Sequence, residues 1–395
     1  MGLDQQEPEE PITSSLTKER IVLCMIVKNE ERIITRALDS VNEIVDQYVI
    51  CDTGSSDGTV SAVEKYFEDN DLCGTVYERP WVNFAHNRQE AFDYGKEHGD
   101  YIMTLDADEV FAPLETSGPN LFSKVTALPP LNVDRVDVPT HLGNVVYPRS
   151  QFFKTTKKWI WASPCHEVCI SNEAQTSDVL PNVCVVPTNE GARSQNPKKF
   201  FDDALIFERE VLDNSGDARS WFYLAQSYRD AGRPDKAIEP LEKCIEVSNW
   251  PEEKSTCYLR LARFGLENGK SFDDVLHYYW KSFNYYPKGE ALYDMLRHYR
   301  NNGIYRTGAV IGEMFEKYNV GPGALFAEAS IYDWQWKDEL SVCYYYLNKH
   351  TEAIALIDSI IDLPQIPENE QTRMRQNREF SETQLNTEAN KSSGN

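Results

Sequence analysis

The feature that most constrains this chain is a change of texture at Asn196-Pro197. Before it, short apolar runs alternate with amphipathic segments; after it, only helical periodicity continues. One uniform domain cannot carry both patterns, and 395 residues at ~150 per domain call for two or three. Upstream, Ile21–Val27 reads as a buried strand and residues 30–41 as a helix, with Ile33, Ile34, Ala37, Leu38 and Val41 at helical spacing. Residues 47–51 predict a second strand, followed by a loop (52–59) that opens a helix running to Phe67. A short strand is expected at Gly74–Glu78, a helix at 87–98 and a strand at 101–105 that ends at Asp106. This alternation implies a mainly parallel sheet whose ligands bind beyond the C-terminal ends of its strands. From Val110 to Val186 the pattern is irregular and more strand-like, with Trp159, Trp161 and the dense segment 163–168.

Downstream, Trp221, Leu224, Ala225, Tyr228 and Gly232 precede Pro234, Ala237 and Leu241, and related patterns recur at 258–269, 292–303 and 342–353. Gly232 and Gly269 stand 37 residues apart and Gly269 and Gly303 stand 34 apart, which suits helix-pair repeats. They look like tetratricopeptide repeats, degenerate beyond the first. The expected organisation is a disordered N-terminus over 1–19, an α/β domain over 20–195, a helical-repeat domain over 196–363 and a polar, disordered tail over 364–395. Aromatic residues such as Tyr278, Tyr279, Trp280 and Tyr285 read as repeat core; an acceptor groove or a face for homo-oligomer formation is the alternative.

Composition excludes several classes. With 41% hydrophobic residues the chain can build real cores. Sixty-three acidic against 40 basic residues leave a formal charge of −23, which disfavours nucleic acid as a partner. No run approaches the ~18 apolar residues of a transmembrane segment, and no signal peptide is visible at the N-terminus. Nine cysteines without a CxxC pair suggest reduced thiols and a cytoplasmic location. The spacing of Cys165 and Cys169 does not suit structural zinc.

Three acidic loops follow three apolar strands: Lys28-Asn29-Glu30, Asp52-Thr53-Gly54-Ser55 and Asp106-Ala107-Asp108-Glu109. In a parallel sheet all three converge on one edge. Asp106 and Asp108, two residues apart, can reach one hard cation from one side and leave positions for diphosphate oxygens and water. Over residues 21–110 these loops, with His86-Asn87-Arg88, resemble the nucleotide-binding half of family 2 glycosyltransferases of the GT-A fold. The family usually carries two acids where this chain has Asp52-Thr53, so that match rests on Asp52. The fold class implied is a Rossmann-like α/β GT-A domain followed by an all-α helical-repeat domain.

The resemblance implies transfer of a sugar from a nucleotide-diphosphate donor, a UDP-sugar in the family's commonest case, to a glycan or protein acceptor, assisted by Mn2+ or Mg2+. Asp52 would bind the nucleobase or ribose, with Val27 and Glu30 nearby. Arg88 would lie beside the diphosphate or base, Asp106 on the ribose, and Asp108 directly on the cation. Glu30 reads equally as an ordinary acid in the first turn of a helix. An inverting transfer also needs a base for the acceptor's proton, and Glu167 in Cys165-His166-Glu167 is the candidate. His166 is a possible metal or diphosphate ligand, and Arg149 a donor contact, an orienting group for Glu167 or a plain surface arginine. Where related sequences often have a histidine just after Val186-Pro187, this chain has Thr188, which weakens the case for a third protein ligand. A nucleotidyltransferase would need a Gly-rich loop after the first strand, which is missing. The non-enzymatic alternative is a repeat scaffold carrying a degenerate sugar-nucleotide domain.

Overall fold

The computed structural model describes residues 18–143, 145–323 and 325–393. Most of the expected N-terminal disordered stretch, residues 1–17, lies outside them. The chain divides into two compact units, the first ending at Lys199 and the second beginning at Phe200.

The first unit is built on β1 (Ile21–Val27), α1 (Ile34–Asp39), β2 (Gln47–Asp52), α2 (Thr59–Asp69), β3 (Gly74–Glu78), α3 (Phe84–Gly95) and β4 (Tyr101–Thr104). Their strands run parallel in the order β3-β2-β1-β4. β1 is apolar throughout because both its faces are covered. Leu23 and Met25 pack with Ile34 and Leu38, whereas Val22 and Cys24 pack with Phe92 and Phe153. Helix α3 comes so close that a Cβ on Gly95 would stand 2.3 Å from Cys24 Sγ. The chain steps outward from β1 to β3 and then returns to the other side of β1 as β4. This reversal opens a crevice at the C-terminal ends of β1 and β4, the usual ligand position in such sheets.

Beyond β4 the sheet becomes mixed. The strands are β5 (Glu109–Glu115), β6 (Gly118–Pro119), β7 (Arg135–Leu142), β8 (Val145–Lys154), β9 (Ile160–Ala162), β10 (Val168–Ile170), β11 (Ser177–Val179) and β12 (Val183–Pro187). β8 pairs antiparallel with β4, and β12 antiparallel with β5. β9 and β10 form a separate ribbon.

One expected helix is shorter than its periodicity suggests, 34–39 rather than 30–41. Residues 30–33 form a turn because their polar groups bond the neighbouring loop. Glu30 N donates to Thr59 Oγ1 at 2.8 Å, and Glu31 Oε2 accepts from Gly58 N at 3.1 Å.

The second unit is helical: α4 (Lys199–Asp213), α5 (Ala218–Asp230), α6 (Pro234–Val247), α7 (Pro251–Glu267), α8 (Phe272–Tyr285), α9 (Gly289–Asn301), α10 (Tyr305–Lys317), α11 (Trp336–Tyr346), α12 (His350–Asp358) and α13 (Glu368–Ser393). A five-residue π-helical turn, Ile331–Gln335, leads into α11. Helices α5/α6, α7/α8, α9/α10 and α11/α12 are antiparallel-type hairpins closed by short turns, the architecture of tetratricopeptide-like repeats. At three turns a glycine is left-handed, Gly232 at φ 74°, Gly269 at 81° and Gly303 at 73°; at the fourth Asn348 takes the position at 58°. The tail expected to be disordered is instead helix α13. Met374, fully buried, docks it beside Ile357 and Ile366, and Arg373 pairs with Asp338 at 2.6 Å. No helix among the described residues is long and apolar enough to cross a membrane.

Candidate functional site

The strand ends of the first unit bring the acidic loops together. Val27, the last residue of β1, stands in register with Asp52, the last of β2. The Val27 carbonyl accepts from both the amide (2.9 Å) and the hydroxyl (3.1 Å) of Thr53. This explains a threonine beside Asp52: its hydroxyl closes the β1–β2 edge. Asp52 itself is buried, its Oδ2 taken by the amides of Gly54 (3.1 Å) and Ser55 (2.9 Å) and its Oδ1 by the Ser55 hydroxyl. The carboxylate therefore shapes its own loop in this state, and a nucleoside contact requires Ser55 to turn away.

Asp106 follows β4, and its Oδ1 accepts from Arg88 Nη2 at 2.8 Å. Arg88 Nε donates to Glu167 Oε1 at 2.5 Å, and its guanidinium lies 5.3 Å from the Trp161 ring centroid. One arginine on α3 thus joins the β4 loop to the segment between β9 and β10. Arg88 is held in place because α3 has a well-satisfied start: Asn83 caps His86 N at 2.8 Å, and buried Asn87 bonds Val82 N and the Pro80 carbonyl. Burial disfavours the Arg88 cation, but Asp106 and Glu167 outweigh it and push its pKa further up. Burial likewise raises Asp106, yet Arg88 and Arg149 hold it below the usual aspartate range.

Glu109, beside the Asp106–Asp108 pair, is buried. Its Oε2 accepts from Arg149 Nη2 at 2.6 Å and from the Asp106 amide at 3.0 Å. Burial, and then the Asp106 charge, push its carboxyl upward. Arg149 is therefore neither a plain surface arginine nor a partner of Glu167; it neutralises Glu109 under the loop.

Asp108 is half-buried, and a loop after β12 leans on it. The Gly191 amide lies 3.3 Å and Ser194 Oγ 3.5 Å from Asp108 Oδ2, and Thr188 donates twice to the Asp108 carbonyl at 2.8 Å. The same loop offers the Ala192 amide to both oxygens of Glu30, at 3.1 and 3.2 Å. Glu30 is pushed up to about 7, first by burial, against the Ala192 hydrogen bond, and then by Asp108, Asp57 and Asp106. Arg88 and Arg149 pair with Asp106, Glu167 and Glu109, while Glu30 and Asp108 receive backbone amides from the 188–194 loop. Asp106 and Asp108, two residues apart on one loop, are carboxylate oxygen donors of the kind a hard divalent cation takes.

The structure thus gathers Val27, Glu30, Asp52, Arg88, Asp106, Asp108 and Glu167 along one sheet edge or its approaches. His166 is exposed, and Ser163 and His166 take left-handed backbone, at φ 72° and 54°. His86 is also exposed, 3.7 Å from Glu90. Sequence reasoning missed the Arg149–Glu109 pair and, beyond Thr188, the 189–194 part of the loop. Its signals were the Thr188 position and a polar, glycine-containing stretch immediately after a strand.

Residues 22–117 match the model for glycosyl transferase family 2. An uncharacterized glycosyltransferase of Rickettsia conorii is 34% identical over 98 residues, 25% of this chain and 32% of that protein. A TPR repeat-containing protein of Synechococcus elongatus is 28% identical over 151 residues, 38% of this chain and 35% of that protein. Among solved structures, a mannosyltransferase of Pyrobaculum calidifontis, in complex with GDP-Man and Mn2+, is 15% identical with a TM-score of 0.33, covering 69% of this chain and 82% of that one. The chain spans about a third of the length of the curated relatives it matches. Within the first unit, residues 22–117 thus match the family 2 glycosyltransferase model, and hairpins of tetratricopeptide-like architecture make up the second unit.

Proposed function

We propose that this chain is a metal-dependent, inverting glycosyltransferase that moves a sugar from a nucleotide-diphosphate donor, a UDP-sugar by preference, to a hydroxyl of a glycan or protein acceptor. The observation that carries the reading is the Asp106–Arg88–Glu167 chain beside Asp108 at the β1/β4 crevice. Asp108 and Asp106 would hold Mn2+ or Mg2+; the cation, when bound, supplies charge to stabilise the departing diphosphate. Asp52, released from Ser55, would take the nucleobase or ribose beside Val27 and Glu30. His166, exposed beside Glu167, would contact the diphosphate or the cation.

Glu167 would act as base. In the transfer the anomeric carbon–oxygen bond to the diphosphate breaks and its electron pair leaves with the diphosphate. The acceptor oxygen forms the new bond to the anomeric carbon and gives its proton to the Glu167 carboxylate. Arg88 donates to Glu167 and, from the same guanidinium, to Asp106, and so fixes the two carboxylates relative to each other. Inversion follows from a single in-line displacement with one base.

The test is release of nucleoside diphosphate from a panel of nucleotide sugars with Mn2+, Mg2+ or EDTA, for the native chain and Asp108→Ala. Release from one donor, lost with EDTA and with the variant, is the expected outcome. Silence across all donors, with no metal-dependent nucleotide binding, would overturn the reading and leave a repeat scaffold.

A further inference from the structure

The helical unit holds a cavity of about 710 Å3 that sugar transfer does not use. Small-molecule sites commonly measure ~300–1,000 Å3, so this one has room for a ligand of that class. Three helices wall it, and each contributes residues three, four or seven apart, the spacing of one helical face. Tyr293, Arg297 and Arg300 come from α9. Trp334, Asp338 and Tyr345 come from the π-helical turn and α11, and Arg373, Asn377 and Ser381 from α13. The face that α13 turns to the cavity is polar apart from Phe380.

The charges in this wall cancel. Arg300 holds Glu339 through Nε and, at 2.7 Å, through Nη2, while Arg373 holds Asp338 at 2.6 Å and Glu370 at 2.8 Å. Arg297 stands 4.0 Å from Glu339. Three arginines thus meet three carboxylates, although the chain as a whole carries −23. An ionic ligand of either sign finds no excess charge to pair with. An apolar ligand is penalised too, because it would strip water from groups that still have bonding capacity. Asp338 and Glu339 are buried, and their arginines take only part of the roughly four acceptor positions on each carboxylate. The wall suits a neutral molecule dense in hydroxyl groups, which donate to carboxylates and accept from guanidiniums.

Aromatic side chains supply the complementary surface. Trp334, Tyr345 and Phe380 line the same cavity, and Phe380 remains 58% exposed on an otherwise polar helix. The C–H bonds on one face of a sugar ring are weakly positive and meet the negative face of an aromatic ring. Ser381 adds an independent observation. It is only 1% exposed, and its Oγ has no hydrogen-bond partner among the described residues. A buried hydroxyl that the protein leaves unsatisfied needs a partner from the cavity it lines.

We propose that this cavity is a binding site for a neutral oligosaccharide, with Phe380 stacking on a sugar face and Ser381, Arg300, Arg373, Asp338 and Glu339 bonding its hydroxyls. The site depends on its own lining and on no step of sugar transfer in the first unit. It needs neither nucleotide nor metal.

The experiment titrates the full chain by calorimetry, in EDTA and without nucleotide, with cellobiose, maltose, lactose, mannobiose and chitobiose. Citrate and spermine are the charged comparisons. At least one disaccharide should bind, and more tightly than either charged compound. Phe380→Ala, which removes an exposed ring, should weaken that binding about tenfold or more. Ser381→Ala should weaken it as well, yet leave the melting temperature unchanged or higher. It deletes an unsatisfied buried hydroxyl and places a better helix former in α13. A merely structural residue would move stability and not affinity. No binding of any disaccharide, tighter binding of citrate or spermine, or disaccharide binding unaltered in both variants would each overturn the proposal. With metal and nucleotide absent, none of these results bears on the reading of the first unit.

Discussion

At the residue scale, Glu30 is the most informative side chain. It sits among Asp57, Asp106 and Asp108 with only the Ala192 amide to favour its charge, and burial dominates, so its carboxyl rises from 4.5 to about 7. An acid whose folded pKa lies above its unfolded one binds its proton more tightly in the native state. The folded form is then favoured below pH ~4.5, and this advantage fades as pH rises and is gone above ~7. Glu30→Gln keeps an oxygen for Ala192 and cannot ionise. The melting temperature of the native chain should therefore fall relative to that of Glu30→Gln between pH 5 and 8, and the two should converge toward pH 4.5. Thermal unfolding in metal-free buffer across that range checks it. A constant difference would mean that Glu30 titrates like a solvated carboxylate. Glu30 is only partly buried, so solvent screening makes the gap smaller than the full shift implies.

At the scale of elements, the repeat turns make a matched set. Gly232, Gly269 and Gly303 each end a helix in the left-handed region, and in each case the next residue bonds back to the helix, as Lys270 N does to the Gly265 carbonyl at 3.0 Å. Asn348 does the same work with a side chain. Gly269→Ala should cost about 1–2 kcal/mol, because a Cβ in this conformation meets the following carbonyl. Asn348→Gly should change stability by less than about 0.5 kcal/mol, since asparagine already tolerates the region. Urea midpoints for the two variants decide whether the turns are equivalent. The same glycines made the repeats legible in the sequence, because left-handed turns demand a residue type that recurs at fixed spacing. The parallel strands were legible too, their apolar runs being buried on both faces. Helix α13 was not, because it is polar almost throughout and rests on a few contacts such as Met374, Arg373–Asp338 and Arg378–Asp358. Nor was the hold on the Glu30 carboxylate legible: the Ala192 backbone amide provides it, and an amide leaves no trace in side-chain identity.

At the scale of the whole molecule, charge decides how metal binding must be measured. A net −23 means that any cation relieves self-repulsion and stabilises the compact chain somewhat, with no specific site required. A melting shift in Mn2+ is therefore uninformative alone. Specific binding has a different form: a ligand that binds only the folded state adds stability as the logarithm of its concentration over its dissociation constant, about 2.7 kcal/mol at a hundredfold excess. If Asp108 and Asp106 hold a cation that in turn meets a diphosphate, Mn2+ and UDP should stabilise together by more than the sum of their separate effects. At fixed ionic strength screening is the same in all conditions, so it does not account for that excess. Asp108→Asn removes only one charge of many, so it should retain the screening component and lose the cooperative one. Calorimetric melting at fixed ionic strength, with Mn2+, UDP, both or neither, and with NaCl matched to the manganese salt, separates the two. Additive shifts in the native chain, or an undiminished excess in Asp108→Asn, would mean that the acidic edge is only part of the general field and not a diphosphate site.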